Sequence, residues 1–229
     1  MFIKPPQPAS TREVVYSTLR DKILSLELPP GTGLSEKEIS LQFNVSRTPV
    51  RESFVRLAQE GLLDIYPQRG TFVSLIDTTL VEEARFMREQ LERAVIKLAC
   101  DSFPEQQLAQ LESNLAEQKA SIEQHDYKGM FELDERFHRT IFDGCGKSNT
   151  WTVIQQMNVH LNRSRMLRLA ADYNWSHIYT QHEQMAVAIR NHDAQGADRL
   201  MQEHLSLSIA DQSLLQEKFP AYFTTSGQP

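Results

Sequence analysis

Apolar residues recur three and four positions apart along most of this chain and alternate in one short region only. Val14, Val15, Leu19, Ile23 and Leu26 predict a helix that starts at a Ser10 or Thr11 cap and runs through Leu26. Pro29-Pro30-Gly31-Thr32-Gly33 cannot continue it and predicts a turn. Ser35, with Glu38 three residues on, is a capping box opening a short helix that turns Ile39 and Phe43 inward. After a tight turn at Asn44-Val45, Ser46 caps a third helix, with Pro49 in its first turn and Gly61 at its end. Leu62–Tyr66 and Thr71–Leu75 then alternate as two strands around Pro67-Gln68-Arg69-Gly70. Helix, helix, turn, helix, hairpin is the order of a winged helix-turn-helix. From Thr79 onward there is no alternation and little Gly or Pro, and helical periods run over about 78–101, 104–123, 126–143, 148–171, 174–192 and 194–216. Six helices with short links predict an all-helical antiparallel bundle, so the chain is expected to be mainly α.

The 229 residues suit one large or two small domains. The predicted division is a mobile Pro-rich arm (1–10), a winged domain (11–76), a helical domain (77–217) and a tail (218–229). Charge divides the same way. Residues 1–76 hold nine Lys/Arg and eight Asp/Glu, a net of +1, while residues 77–229 hold fifteen and twenty-two, a net of -7. No apolar stretch approaches the roughly 18 residues of a membrane span. The N-terminus has no apolar signal core, and two cysteines make no disulfide framework. A cytoplasmic protein is therefore expected.

The helix beginning at Ser46 carries the first candidate chemistry. Ser46, Arg47, Thr48 and Arg51 fall in its first turn and a half. The N-terminal end of such a helix enters the major groove, where Arg grips guanine O6 and N7 while hydroxyls take phosphate oxygens. Arg69-Gly70 at the hairpin tip can reach an adjacent groove or phosphate. The segments Pro29-Pro30-Gly31, Leu34-Ser35-Glu36-Lys37-Glu38-Ile39, Phe43 through Glu52, Leu57 through Leu62 and Pro67 through Val73 together resemble the GntR family of bacterial transcription regulators. The resemblance covers about residues 11–75. It implies that Lys37, Ser46, Arg47, Thr48, Arg51 and the wing Gly70 touch double-stranded operator DNA.

All seven histidines lie in the second part. Asp134 and His138, four apart, share one helix face, and His182 and His204 follow on two later helices. Three imidazoles and one carboxylate are an ordinary ligand shell for a divalent metal, although no spacing rule alone assembles three separate helices. His125, His177 and His192 read as surface, and His160 either lines the bundle or faces solvent. Arg88-Glu89-Gln90-Leu91-Glu92, Asp134 through His138, Arg163-Ser164-Arg165, Gln181-His182-Glu183 and His204 resemble FCD, the helical ligand-sensing domain of one GntR subfamily. The resemblance implies that Asp134, His138, His182 and His204 hold a divalent ion, zinc or nickel first and iron or manganese as alternatives. It also implies a small carboxylate effector beside or on the metal. Arg88 and Arg163 are the candidates to meet it, because guanidinium presents a fork of donors; the alternative for each is a structural ion pair.

The expected function is a homodimeric regulator, a repressor by preference, whose operator binding answers to that effector. Two rivals stand beside it. A metal-dependent hydrolase would use the same ligands, but the chain has no His-Glu-x-x-His and no evident general base. A metal-free dimerisation bundle would leave the histidines incidental.

Overall fold

The computed structural model describes residues 10–171 and 175–224. The expected arm falls outside these except for Ser10, as do residues 225–229 of the tail. The chain divides into two compact units between Leu75 and Ile76.

The first unit is built of α1 (Thr11–Leu24), β1 (Gly33–Leu34), α2 (Glu36–Gln42), α3 (Arg47–Gln59), β2 (Leu63–Tyr66) and β3 (Gly70–Val73). Ser10 and Ser35 cap α1 and α2, their hydroxyls accepting from the N–H of Glu13 and Glu38. Val15, Leu19 and Ile23 of α1 bury themselves, as do Val50, Phe54 and Leu57 of α3. A polar clasp ties these two helices: the Tyr16 hydroxyl donates to Glu60, which Arg20 also pairs at 3.0 Å. The Arg56 guanidinium lies 3.5 Å from the centre of the Tyr16 ring. The wing is a three-stranded antiparallel sheet in the order β1-β3-β2, where the sequence predicts two strands. The added strand comes from the end of the Pro-Gly turn. Gly31 donates to the Val73 carbonyl and Val73 to the Thr32 carbonyl, which draws Gly33-Leu34 against Thr71-Phe72. Two residues are too few to show an alternation.

The second unit comprises α4 (Thr78–Asp101), α5 (Glu105–Glu123), α6 (Tyr127–Gly144), α7 (Ser148–Met157), α8 (Val159–Ala171), α9 (Ser176–Arg190), α10 (Ala194–Lys218) and a 3-10 turn at Pro220–Tyr222. The single helix predicted over 148–171 is two. The backbone ladder is interrupted at Asn158, whose carbonyl accepts from Asn162 N–H and starts α8. Both side-chain polar atoms of Asn158 are buried without a partner. α8 is buried almost all round, including its polar His160, Asn162, Arg163 and Ser164, so it shows no amphipathic period. α4 packs on α6, α8, α9 and α10, and α5 on α6 and α9. Val95, Ile96, Leu111, Phe137, Ile141, Trp151, Ile154, Met185 and Ile189 form the apolar core.

The start and the end of this unit are stitched together. Ile76 pairs with Phe223 in a parallel bridge; Ile76 N–H donates to the Tyr222 carbonyl and Thr224 N–H to the Ile76 carbonyl. Both side chains are buried. The next residue, Asp77, donates its N–H to His160 Nδ1 at 3.0 Å and caps α4 with its carboxylate. His160 therefore lines the bundle, while His125, His177 and His192 are exposed.

Two outcomes follow from this stitching. Phe223→Ala empties a buried aromatic site and is expected to destabilise the second unit by about 3–5 kcal/mol, read from its urea midpoint. Burial, and then the neighbouring Arg163, push the His160 imidazole down to about 4 from its ordinary 6.5. Above pH 6.5 the ring is neutral whether the chain is folded or not, and its contribution to stability is fully present. As pH falls from 6.5 through about 4 only the unfolded chain takes up the proton, so stability drops by something on the order of 3 kcal/mol. The urea midpoint of His160→Gln should fall less steeply than wild type across that window; parallel curves would contradict it.

Candidate metal centre and DNA-facing surface

Asp134 and His138 project from α6, His182 from α9 and His204 from α10, and the structure brings all four together. One ligand atom from each lies within 4.8 Å of every other, and all four residues are buried. His138 Nε2 is 3.2 Å from His204 Nε2, and Asp134 Oδ1 is 3.6 Å from His182 Nε2 and 3.9 Å from His204 Nε2. The inward atoms are thus the three Nε2 nitrogens and a carboxylate oxygen.

The outward nitrogens explain this orientation. His138 Nδ1 lies 2.5 Å from Glu92 Oε2 of α4. His182 Nδ1 is 2.9 Å from Gln118 Oε1 of α5, and His204 Nδ1 is 3.0 Å from Gln181 Oε1 of α9. Each ring faces an acceptor on its outer side, so each neutral ring carries its proton there and turns a lone pair inward. The Phe137 ring stacks on His182 at 4.2 Å between centroids and holds its plane. In that tautomer three ring nitrogens and a carboxylate oxygen converge as four ligand atoms. His182 Nε2 is buried without a hydrogen-bond partner. Such a cluster could hold a metal ion, and its donor set suits a divalent one.

Electrostatics run the same way. Burial pushes His182 down to about 3 and His204 well below its ordinary value, which keeps both rings neutral. Burial alone would raise Asp134, but the Arg165 guanidinium beside it outweighs that and holds the carboxyl well below the usual range. Glu92 is brought down to about 2, burial being overcome by Arg88 and then His138.

A cavity of about 50 Å3 opens beside Asp134 and His204. Arg85, Arg88, Arg165 and Arg168 line it, together with Leu161, Ile178 and Leu205. Arg88 is held through Nε by Glu92 at 2.5 Å, while its NH2 is buried without a partner. It is both a structural ion pair and an available donor. Arg163 is placed elsewhere. It is buried with its NH2 3.0 Å from His160 Nδ1, and it is not among the residues that line the cavity. The arginine of the Arg163-Ser164-Arg165 segment that reaches the centre is Arg165, which bonds Asp134 and Glu135. On a helix buried all round, sequence gives no sign of which arginine faces the metal. Gln118 also escapes a reading by sequence, since a lone Gln in a polar helix carries no signal. Glu92 and Gln181 stand within the FCD-like segments, but nothing there assigns them a role.

The expected DNA-facing residues are all exposed: Lys37 on α2, Ser46, Arg47, Thr48 and Arg51 at the start of α3, and Arg69 and Gly70 at the wing tip. Ser46 occupies the cap position of α3 but its hydroxyl makes no capping bond. Arg51 is engaged by Glu36 of α2 through two bonds of 2.9 and 3.0 Å. To read a base it must leave or share that carboxylate. Gly70 has φ +115°, a conformation open to glycine.

Comparison with known proteins agrees with both halves. Residues 11–73 match the gntR family of bacterial regulatory proteins and residues 83–207 match the FCD domain. The chain is 36% identical to the HTH-type transcriptional repressor RspR of Escherichia coli K12, over 89% of this chain and 88% of that one. It is 34% identical to an uncharacterised HTH-type transcriptional regulator of Streptomyces ambofaciens, over 94% and 91%. Among solved structures, E. coli McbR/YncC shares its fold with a TM-score of 0.77 at 21% identity, over 93% of this chain and 100% of that one. These relatives are transcriptional regulators rather than enzymes, which removes the hydrolase reading. No helix among the described residues is long and apolar enough to cross a membrane. The chain belongs to the gntR family of bacterial regulatory proteins and is a DNA-binding transcriptional regulator whose winged helix-turn-helix head is followed by an FCD domain.

Proposed function

We propose that this regulator is a homodimeric repressor whose operator binding is controlled by a small organic acid recognised at a divalent metal held by Asp134, His138, His182 and His204. The observation that carries the reading is the convergence of three inward imidazole lone pairs and a carboxylate oxygen in a buried site. A metal-free dimerisation bundle has no use for that arrangement. Zinc or nickel suits the ligands best, with iron or manganese as alternatives. When bound, the ion supplies a Lewis-acid centre. Three neutral imidazoles and one carboxylate leave a divalent complex a net charge of +1, which favours an anion as the next ligand. Arg88, with an unpartnered buried NH2 in the adjoining cavity, is the candidate to orient the effector carboxylate. Arg85, Arg165 and Arg168 contribute to the positive wall; Arg163 acts instead on His160. Repression is supported by the printed function of RspR, the relative described above. A dimer is supported by economy of recognition, since one winged head buries too little surface to select a site in a genome. Effector and operator then influence one another through their differential affinity for two states of the dimer.

Lys37, Ser46, Arg47, Thr48, Arg51, Arg69 and Gly70 form the proposed operator surface. Arg47 bears the greater share of base reading, because Glu36 competes for Arg51. Arg47→Ala is expected to lower affinity for a duplex selected by the wild-type protein by about 1–3 kcal/mol, roughly 5- to 150-fold. Gel-shift titration with a circular-dichroism control reads this, and wild-type affinity in the variant would remove Arg47 from the interface.

The metal reading has its own test. An ion bound only by the folded chain adds about 2.7 kcal/mol at one hundred times its dissociation constant. Chelation of the purified protein should therefore lower its melting temperature, and added zinc or nickel should restore it. His182→Ala should melt at the same temperature with and without chelator. Identical melting of wild type in both conditions, with no metal by elemental analysis, would leave the bundle metal-free. Titration of metal-loaded protein with small hydroxy acids, in wild type and Arg88→Met, then tests the effector site.

A further inference from the structure

We propose that Asn114 of α5 is a positioning residue for the metal site: acting through Gln118, it decides which nitrogen of His182 carries the proton. The inference rests on the metal reading only for its consequence, not for its geometry.

Asn114 and Gln118 are one helical turn apart and both fully or nearly buried. Three bonds run in series. Asn114 Nδ2 donates to the Leu133 carbonyl at 3.0 Å, Gln118 Nε2 donates to Asn114 Oδ1 at 2.6 Å, and His182 Nδ1 meets Gln118 Oε1 at 2.9 Å. A primary amide has a donor end and an acceptor end of almost the same shape, so a glutamine beside a histidine can present either. With its NH2 group toward Nδ1, Gln118 would favour the ring that bears its proton on Nε2. That proton would point at Asp134 Oδ1, 3.6 Å away, and occupy the place of an incoming cation.

The series removes this freedom because its far end is a backbone carbonyl, which only accepts. Leu133 O compels Asn114 to turn its NH2 outward and its oxygen toward Gln118. Gln118 must then spend its NH2 on that oxygen and show its own oxygen to His182. His182 responds with an Nδ1 proton and an Nε2 lone pair, and that Nε2 is the buried atom without a hydrogen-bond partner. His138 needs no such series, since its outer neighbour Glu92 is a carboxylate and accepts in either orientation. Leu133 precedes the ligand Asp134 on α6. The helix that supplies one ligand thus orients another from a different helix.

The test uses the full-length protein with 15N-labelled histidine, stripped of metal. Long-range proton–nitrogen correlation reads the His182 tautomer, assigned by comparison with His182→Gln. Wild type is expected to show the proton on Nδ1. Asn114→Leu should give a mixture that includes the Nε2-protonated ring, and its zinc affinity, by competition with a chromophoric chelator, should fall about 10-fold. Asn114→Asp keeps an acceptor for Gln118 Nε2 while losing the donor to Leu133, so it should retain the wild-type tautomer and most of the zinc affinity. A residue that merely ties α5 to α6 would make the two variants equal, because both lose that tie. The inference is overturned by an Nε2 proton in wild-type His182, by an unchanged tautomer in Asn114→Leu, or by equal behaviour of the two variants. If Asn114→Leu does not fold, Asn114→Ala, which also removes the acceptor for Gln118 Nε2, takes its place with the same expected mixture and the same overturning result. The expected tautomer in wild type, a mixture in Asn114→Leu and no zinc binding in either would uphold the role of Asn114 and remove the metal reading instead.

Discussion

The second unit is organised around a collection of acceptors that cannot neutralise one another. Three imidazole lone pairs and the Asp134 carboxylate share a buried space a few ångströms across, and every outer partner is arranged to keep protons out of it. Burying a polar atom without a partner costs on the order of 1–3 kcal/mol, and a charge costs more. A bundle that needed only to fold would fill this volume with Leu and Ile, as it does a turn away at Ile141 and Met185. The polar centre runs against the trend of folding. Its cost is offset by an apolar core on the same helices: Phe137 stands beside His138, and Met201 one turn before His204.

The same constraint explains why so many helices meet there. Ligands come from α6, α9 and α10, but their orientation depends on Glu92 of α4, Gln118 of α5 and Arg165 of α8. Histidine geometry is exacting because both nitrogens must be placed at once. Four ligands on three helices therefore recruit three further helices as supports. α8 also carries His160, which accepts the N–H of Asp77 where the second unit begins. One rigid helix thus touches the Asp134 carboxylate through Arg165 and the first residues of the unit through His160. Arg165 and the Asp77 backbone are therefore linked by residues 160–165 of α8 and one hydrogen bond.

Much of this was legible in the sequence, for identifiable reasons. The winged head declares itself through local chemistry: caps at Ser10 and Ser35, proline in the first turn of α3, glycine at its end. Each of these acts within four residues. The ligand quartet was legible because its residue types are rare in a helical bundle and because the FCD-like segments place them. What was not legible depends on long-range placement. β1 forms only because β3 lies alongside it. The break at Asn158 lies where α7, exposed along one face, gives way to α8, buried almost all round, so the 3.6-residue period fades there without marking a stop. Arg163 and Arg165 are two residues apart, about 200° around the helix, so they point to opposite sides. Choosing the one that faces the metal requires the rotation of α8, which only its neighbours set.

Arg88 shows how structural and functional readings of one residue can both hold. Its Nε is committed to Glu92, and that pair orients His138, so the side chain is part of the scaffold of the metal site. Guanidinium has five N–H donors on a planar fork, however, and one pairing does not exhaust them. The NH2 left over is buried without a partner, and the residue lines the cavity beside Asp134 and His204. A lysine could not serve both ends, because its three donors radiate from a single atom. An anion that met this NH2 would share the Arg88 guanidinium with Glu92, the same carboxylate that faces His138.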